Sequence, residues 1–121
     1  MSALGDKQAR FTHCQAIFVL WANAVPANNG QRRRLRDGYA YRDRQCNAAV
    51  GGHPNSTHTH RLARDWVLDL WDEEREKWIY QTKTAAYTEL GEFWESLDPE
   101  ARWGGLFGDG NHFSFEHAGI A

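Results

Sequence analysis

The chain is short of several features that would place it in a large protein class. No apolar run approaches the ~18 residues a membrane-spanning helix requires. The opening stretch MSALGDKQARFTHCQAIFVLWANAV has no apolar core behind a basic start, so it does not read as a secretory signal. Cysteine is scarce. Cys14 and Cys46 make no CxxC pair and no disulfide framework. Cys14 falls on the apolar side of a predicted helix and reads as a buried free thiol, with a Cys14–Cys46 bridge as the alternative. Positive charge is not in excess either: 14 Lys and Arg stand against 16 Asp and Glu, a formal net charge of −2. The chain therefore lacks the overall basic field that gathers nucleic acid or an anionic membrane. The basic run Arg32-Arg33-Arg34 with Arg36 reads as a solvated turn leading into a strand. No repeat, low-complexity tract or Pro/Gly/Ser-rich linker divides the sequence, so residues 1–121 are expected to form a single domain.

Aromatic residues are plentiful: six tryptophans contribute to an aromatic share of 13%. That share, with the low net charge, excludes a disordered chain. Tryptophan suits a small core or a carbohydrate-like ligand.

The elements follow from spacing. Phe11, Cys14, Phe18 and Trp21 recur every three or four residues, which predicts a helix over residues 7–24, ended by Pro26, Asn28, Asn29 and Gly30. Residues 35–41 read as a strand and 43–50 as a short helix or turn, followed by the breaker loop Gly51-Gly52-His53-Pro54-Asn55-Ser56. Residues 61–70 alternate as a central strand does, with Leu62, Trp66, Leu68 and Leu70 on one parity and Ala63, Asp65, Val67 and Asp69 on the other. Residues 72–77 form a polar turn, and Trp78-Ile79-Tyr80 returns as a strand. A second helix is predicted over residues 84–97, presenting Ala86, Leu90, Phe93 or Trp94, and Leu97, closed by Pro99. The tail 103–115 begins glycine-rich and ends in an alternating strand through His112, Phe113, Ser114 and Phe115. The expected fold class is α+β: two main helices packed on a small antiparallel sheet.

Among the six histidines, His13, His53 and His117 read as surface or locally bonded residues. His58 and His112 stand out through their relation to Asp65. An acid within an apolar strand is costly unless it is paired or bound to a metal. His112 opens the last strand, and two His with one carboxylate supply the three N/O ligands of a catalytic zinc site whose fourth position is kept for water. The same residues also fit a salt-bridged Asp65 and two hydrogen-bonded core histidines, and spacing does not decide between these readings. Asp109, in Asp109-Gly110-Asn111-His112, is placed either as a general base near such a site or as an ordinary Asp-Gly turn residue.

A resemblance adds to this reading. Ser56-x-His58 followed by Asp65, with Ala63 two before the acid, resembles the SxHxxGxAxD signature of the zinc D-alanyl-D-alanine carboxypeptidase and L-alanyl-D-glutamate endopeptidase family. The ending Trp103-Gly104-Gly105-Leu106-Phe107-Gly108-Asp109-Gly110-Asn111-His112-Phe113 is similar to that family's closing motif, and Tyr41-Arg42-Asp43 to its arginine-bearing segment. The stretch Leu90-Gly91-Glu92-Phe93-Trp94-Glu95-Ser96-Leu97 resembles the single-domain phage endolysins of the family. One position departs from the signature: the glycine three residues after the first ligand is Arg61, preceded by His60, which could compete as a ligand.

The resemblance implies one Zn2+ per chain held by His58, Asp65 and His112 at the sheet edge and its loops. It also implies Asp109 as catalytic base, Arg42 as a substrate-binding and oxyanion-stabilising residue, and Ser56 as a loop or substrate contact. The activity implied is hydrolysis of peptidoglycan stem peptides, with the L-alanyl-D-glutamate bond favoured and a D-alanyl-D-alanine carboxypeptidase as the alternative. A non-catalytic wall-binding or phage structural protein, and a small metal nuclease, are the readings from other classes; the net charge argues against the nuclease. A monomer is expected, without nucleic acid or stable membrane association, made in the host cytoplasm and reaching the wall after the membrane is breached.

Overall fold

Helix formation begins earlier than the apolar spacing requires. In the computed structural model, which describes residues 3–38, 58, 60–117 and 119–121, α1 runs Ala3–Ala24, with Asp6 in its first turn where a carboxylate suits the positive end of the helix dipole. Its buried face is Phe11, Cys14, Gln15, Phe18 and Ala22. Trp21, expected on that face, sits at its rim and stacks on Phe93, ring centroids 3.9 Å apart. The helix ends ahead of Pro26, and Gly30 turns the chain with φ +85°, a conformation that favours glycine.

The first strand, β1, is Arg33–Asp37, so Arg33, Arg34 and Arg36 belong to the strand, and only Arg32, exposed, precedes it. Residues 39–41 of the expected strand, the expected element 43–50, Cys46 and the loop 51–56 lie outside the described residues. Cys14 is a buried thiol with no disulfide among the described residues.

The central strand expected over 61–70 is β2, Ala63–Asp72. It pairs antiparallel with β1 (Leu35 opposite Leu68) and, past the turn 73–76, with β3 (Lys77–Tyr80). Asp72 at the end of β2 holds that turn. Asp72 Oδ1 accepts the backbone N–H groups of Glu74 and Arg75, each at 3.0 Å.

The second helix is broken where continuity was expected. A single 3-10 turn, Thr84–Tyr87, precedes α2, Thr88–Ser96. The Tyr87 hydroxyl explains the break in part. It accepts the Leu68 N–H at 3.0 Å and donates to the Gln81 carbonyl at 2.9 Å, tying the turn to β2. α2 buries Leu90, Gly91 and Trp94. A three-residue strand, β4 (Ala101–Trp103), was not anticipated, whereas β5 (His112–Phe115) was.

The sheet order is β1-β2-β5-β4, with β3 also paired to β2 and every pairing antiparallel. Phe11, Phe18, Trp94, Phe113 and Phe115 form the centre of the core, mostly edge to face, as with Phe18 and Trp94 at 5.6 Å. Trp94 is fully buried, and its indole N–H is shared by the Arg102 and Ser114 carbonyls, each at 3.1 Å. By strand alternation the residues between Phe113 and Phe115 and before them, Ser114 and His112, point to the opposite face of β5. No helix among the described residues is long and apolar enough to cross a membrane.

Candidate metal centre

Asp65 and His112 are directly opposed residues of the β2–β5 ladder, which puts both side chains on one face of the sheet. Their pairing is the last of that ladder; beyond it the Trp66 N–H is bonded to the Asn111 carbonyl at 2.9 Å. His58 reaches the same point from a turn closed by the Arg61 N–H on the His58 carbonyl, at 3.3 Å. In that turn Arg61 has φ +58°, a left-handed conformation that ordinarily favours glycine. This is the position at which the resembling signature carries glycine.

One ligand atom from each of His58, Asp65 and His112 lies within 4.8 Å of the others. His58 Nε2 is 3.3 Å and His112 Nδ1 is 3.4 Å from Asp65 Oδ1. Tetrahedral coordination with bonds of about 2.0–2.1 Å sets ligand atoms about 3.3–3.4 Å apart, so these two edges fit a metal ion. Asp65 Oδ1 supplies a second observation: it is buried and, among the described residues, is not placed in good hydrogen-bond geometry with a partner. A buried carboxylate oxygen in that state is costly. The two imidazoles stand close enough to attract it, as groups do that converge on a common point. His58 is 2% exposed and the Asp65 side chain 20%, so the group lies under the surface with a path to it. Burial by itself would raise the Asp65 carboxyl, but the His112 and His58 rings outweigh burial and hold it below its ordinary pKa.

The glycine-rich turn fixes His112. The Gly104 carbonyl accepts the Asp109 N–H at 2.9 Å, and the Asp109 carbonyl accepts the His112 N–H at 3.2 Å. Gly104 packs so closely there that a Cβ would come within 2.9 Å of His112 Cβ and closer still to the Asp109 carbonyl. Trp103 braces the same turn, its indole N–H donating to the Gly110 carbonyl at 2.7 Å while the ring covers Gly91 and Gly105. Asp109 is thereby held in an exposed turn three residues before His112, bordering a cavity of about 110 Å³ with Thr84, Tyr87 and Asn111.

The structure thus gathers three of the residues singled out in the sequence, His58, Asp65 and His112, into one group and sets Asp109 in the turn that feeds it. Arg42 and Ser56 lie outside the described residues. His60 does not join the group. Its ring packs on His117, centroids 4.7 Å apart, and its carbonyl accepts the Gln8 side chain.

A second polar cluster was not singled out from the sequence. Asp69 is buried and receives Arg34 Nε at 2.8 Å and Arg36 through Nε at 2.7 Å and Nη2 at 2.9 Å. Alternation along residues 61–70 and the arginine run were both legible, but their pairing needed the strand register. Compared with known proteins, the chain matches no family model and no curated relative.

Proposed function

We propose that the chain is a zinc peptidase that hydrolyses stem peptides of peptidoglycan. The observation that carries this reading is the His58–Asp65–His112 group, two of whose edges have tetrahedral length and whose shared carboxylate oxygen is buried. Two imidazoles and one carboxylate form a borderline N/O set that suits zinc and leaves a coordination position open. Support for the peptidase class comes from the order of the motifs: the first two ligands in one segment, then the glycine-rich turn carrying Asp109 ahead of the third. The left-handed Arg61 adds to it, since that backbone conformation fits the glycine of the signature.

Zinc held in such a site polarises a carbonyl and acidifies water. The chain's own residues supply the rest. Asp109, exposed on the turn feeding His112, takes the proton of the attacking water and returns it to the leaving amine. Arg42, a permanent cation with a planar array of donors, steadies the developing negative charge on the scissile carbonyl oxygen. Burial of His58 lowers the local dielectric and strengthens the electrostatic interactions within the His58–Asp65–His112 group.

The L-alanyl-D-glutamate bond is the favoured target, on the likeness of the segment Leu90–Leu97 to phage endolysins. Mass spectrometry of peptidoglycan digested with purified protein tests the reading directly. New N-terminal glutamate is the expected product. Loss of terminal D-alanine alone would move the assignment to a carboxypeptidase, and intact peptidoglycan from a zinc-loaded sample would sink the peptidase reading.

A further inference from the structure

The far end of the sheet carries a second site with no part in the metal chemistry. A groove of about 390 Å³ opens between the end of α1 and the start of β1, lined by Asn23, Pro26, Gly30, Arg32, Arg33, Arg34 and Trp78. Trp78 is opposite Trp71 in the β2–β3 pairing, six positions along β2 from Asp65. At about 3.3 Å per strand residue this places the groove roughly 20 Å from the metal group.

The three arginines meet there in an unusual way. Successive strand residues point to opposite faces, and Arg33 duly turns inward while its neighbours turn out, yet all three border the same space. Arg32 and Arg34 lie over the Trp78 ring, their guanidinium carbons 5.4 and 4.7 Å from its centroid, and Arg32 also stands 5.7 Å from Trp71. A guanidinium stacked on an indole uses its π face and keeps its in-plane N–H donors available in a fixed orientation.

Arg33 adds a buried cation to the groove wall. Its side chain is 2% exposed, its Nε donates to the Ala22 carbonyl at 3.0 Å, and its guanidinium carbon sits 4.4 Å over Trp21. Its Nη2 is buried without a hydrogen-bond partner, and its one ion pair, to Glu89, is long at 3.5 Å. A buried cationic donor in that state is costly. Burial accordingly draws the Arg33 pKa below its usual value, with Glu89 only partly opposing it. Three arginines, Arg32, Arg33 and Arg34, line the groove, and among the described residues no carboxylate lines it; Arg33 is paired with Glu89 and Arg34 with Asp69.

We propose that this groove is an oxyanion-binding site that takes the carboxylate or phosphate group of a small ligand. Three guanidinium groups line the groove, and the two carboxylates paired with them leave positive charge uncompensated among the described residues. The stacked Arg32 offers the fork geometry that oxyanions match with paired hydrogen bonds, with Arg34, whose Nε is given to Asp69, beside it. A single anionic group and a few attached atoms fill the volume.

Nuclear magnetic resonance of the full chain tests this, with sodium phosphate, sodium acetate and sodium chloride titrated separately at matched ionic strength. Saturating shifts of the Trp78 indole N–H and the Gly30 amide with phosphate or acetate, absent with chloride, are the expected result. The tighter of the two identifies the oxyanion type. Arg32→Gln, at an exposed position, should keep the spectrum otherwise unchanged and weaken binding about tenfold, the loss of one charge-assisted hydrogen bond. Shifts that grow alike with all three salts, or an Arg32→Gln protein that binds as tightly as the parent, would overturn the proposal.

Discussion

Asp65 on β2 and His112 on β5 are cross-strand partners, and His112 Nδ1 stands 3.4 Å from Asp65 Oδ1 at the end of their ladder. Backbone pairing, not side-chain flexibility, sets that separation, so the two groups are aimed before any ion arrives. His58 completes the group from a turn outside the ladder.

Removal of a metal ligand should therefore change stability as well as metal content. Zinc at about one hundred times its dissociation constant is expected to add about 2.7 kcal/mol to the parent protein. His58→Ala and His112→Ala should each abolish that gain and show no stoichiometric zinc by elemental analysis. Thermal melts with and without chelator measure both. Equal melting temperatures for parent and His112→Ala in zinc would remove the metal assignment.

Asp109→Asn separates the base from the metal. The turn is held by its backbone, through the Gly104 carbonyl and the His112 N–H, so the substitution should leave zinc content and melting temperature unchanged. Turnover of peptidoglycan should fall by about a hundredfold to ten-thousandfold. A variant that clears cell walls at the parental rate would return Asp109 to the role of a turn residue.

Arg61 tests the geometry of the first-ligand turn. At φ +58° a side chain with Cβ carries a strain of roughly 1 kcal/mol, and more for a β-branched one. Arg61→Gly should remain within about 1 kcal/mol of the parent in denaturant unfolding, whereas Arg61→Val should lose about 1–2 kcal/mol. If valine were tolerated as well as glycine, the turn would not require the left-handed conformation.

Asp69 gives a pH signature distinct from the metal site. Arg36 is the main cause of its lowered pKa; burial opposes this, and Arg34 adds to the lowering. A carboxylate whose pKa is depressed on folding contributes stability above its unfolded value of about 3.9, and that stability is lost as pH falls through the folded value. Its arginine partners are 42% and 50% exposed, so solvent screening reduces the ion-pair contribution. Asp69→Asn is expected to destabilise by roughly 1–2 kcal/mol at pH 7 and to flatten the loss of stability below about pH 4. Urea unfolding across pH would show it, and parallel curves for parent and variant would exclude the role.

What could be read from the sequence was governed by locality. The apolar spacing of Phe11, Cys14 and Phe18 is a property of one helix and led to the right face, and the alternation about Leu68 led to β2. The isolated acid Asp65 was conspicuous because its own strand offers it no partner. Asp69, of the same parity, gave no such signal, because its arginines come from a strand more than thirty positions earlier and register is invisible without the pairing. The strand β4 has only three residues, too few for alternation to register. The break before α2 depends on the Tyr87 hydroxyl bonding back to Leu68, again a contact distant in sequence.

The placement of Asp65 and His112 on the last rung of their ladder has a mechanical consequence. Between them the chain makes one long excursion through β3, α2 and β4, and the two residues stand at its gate. An ion gripped by both would act as a removable clasp on that loop, restricting the unfolded chain much as a cross-link does. Pulled apart from β2 and β5, the loaded protein should part later and at higher force than the stripped one, a zipper whose final tooth is locked.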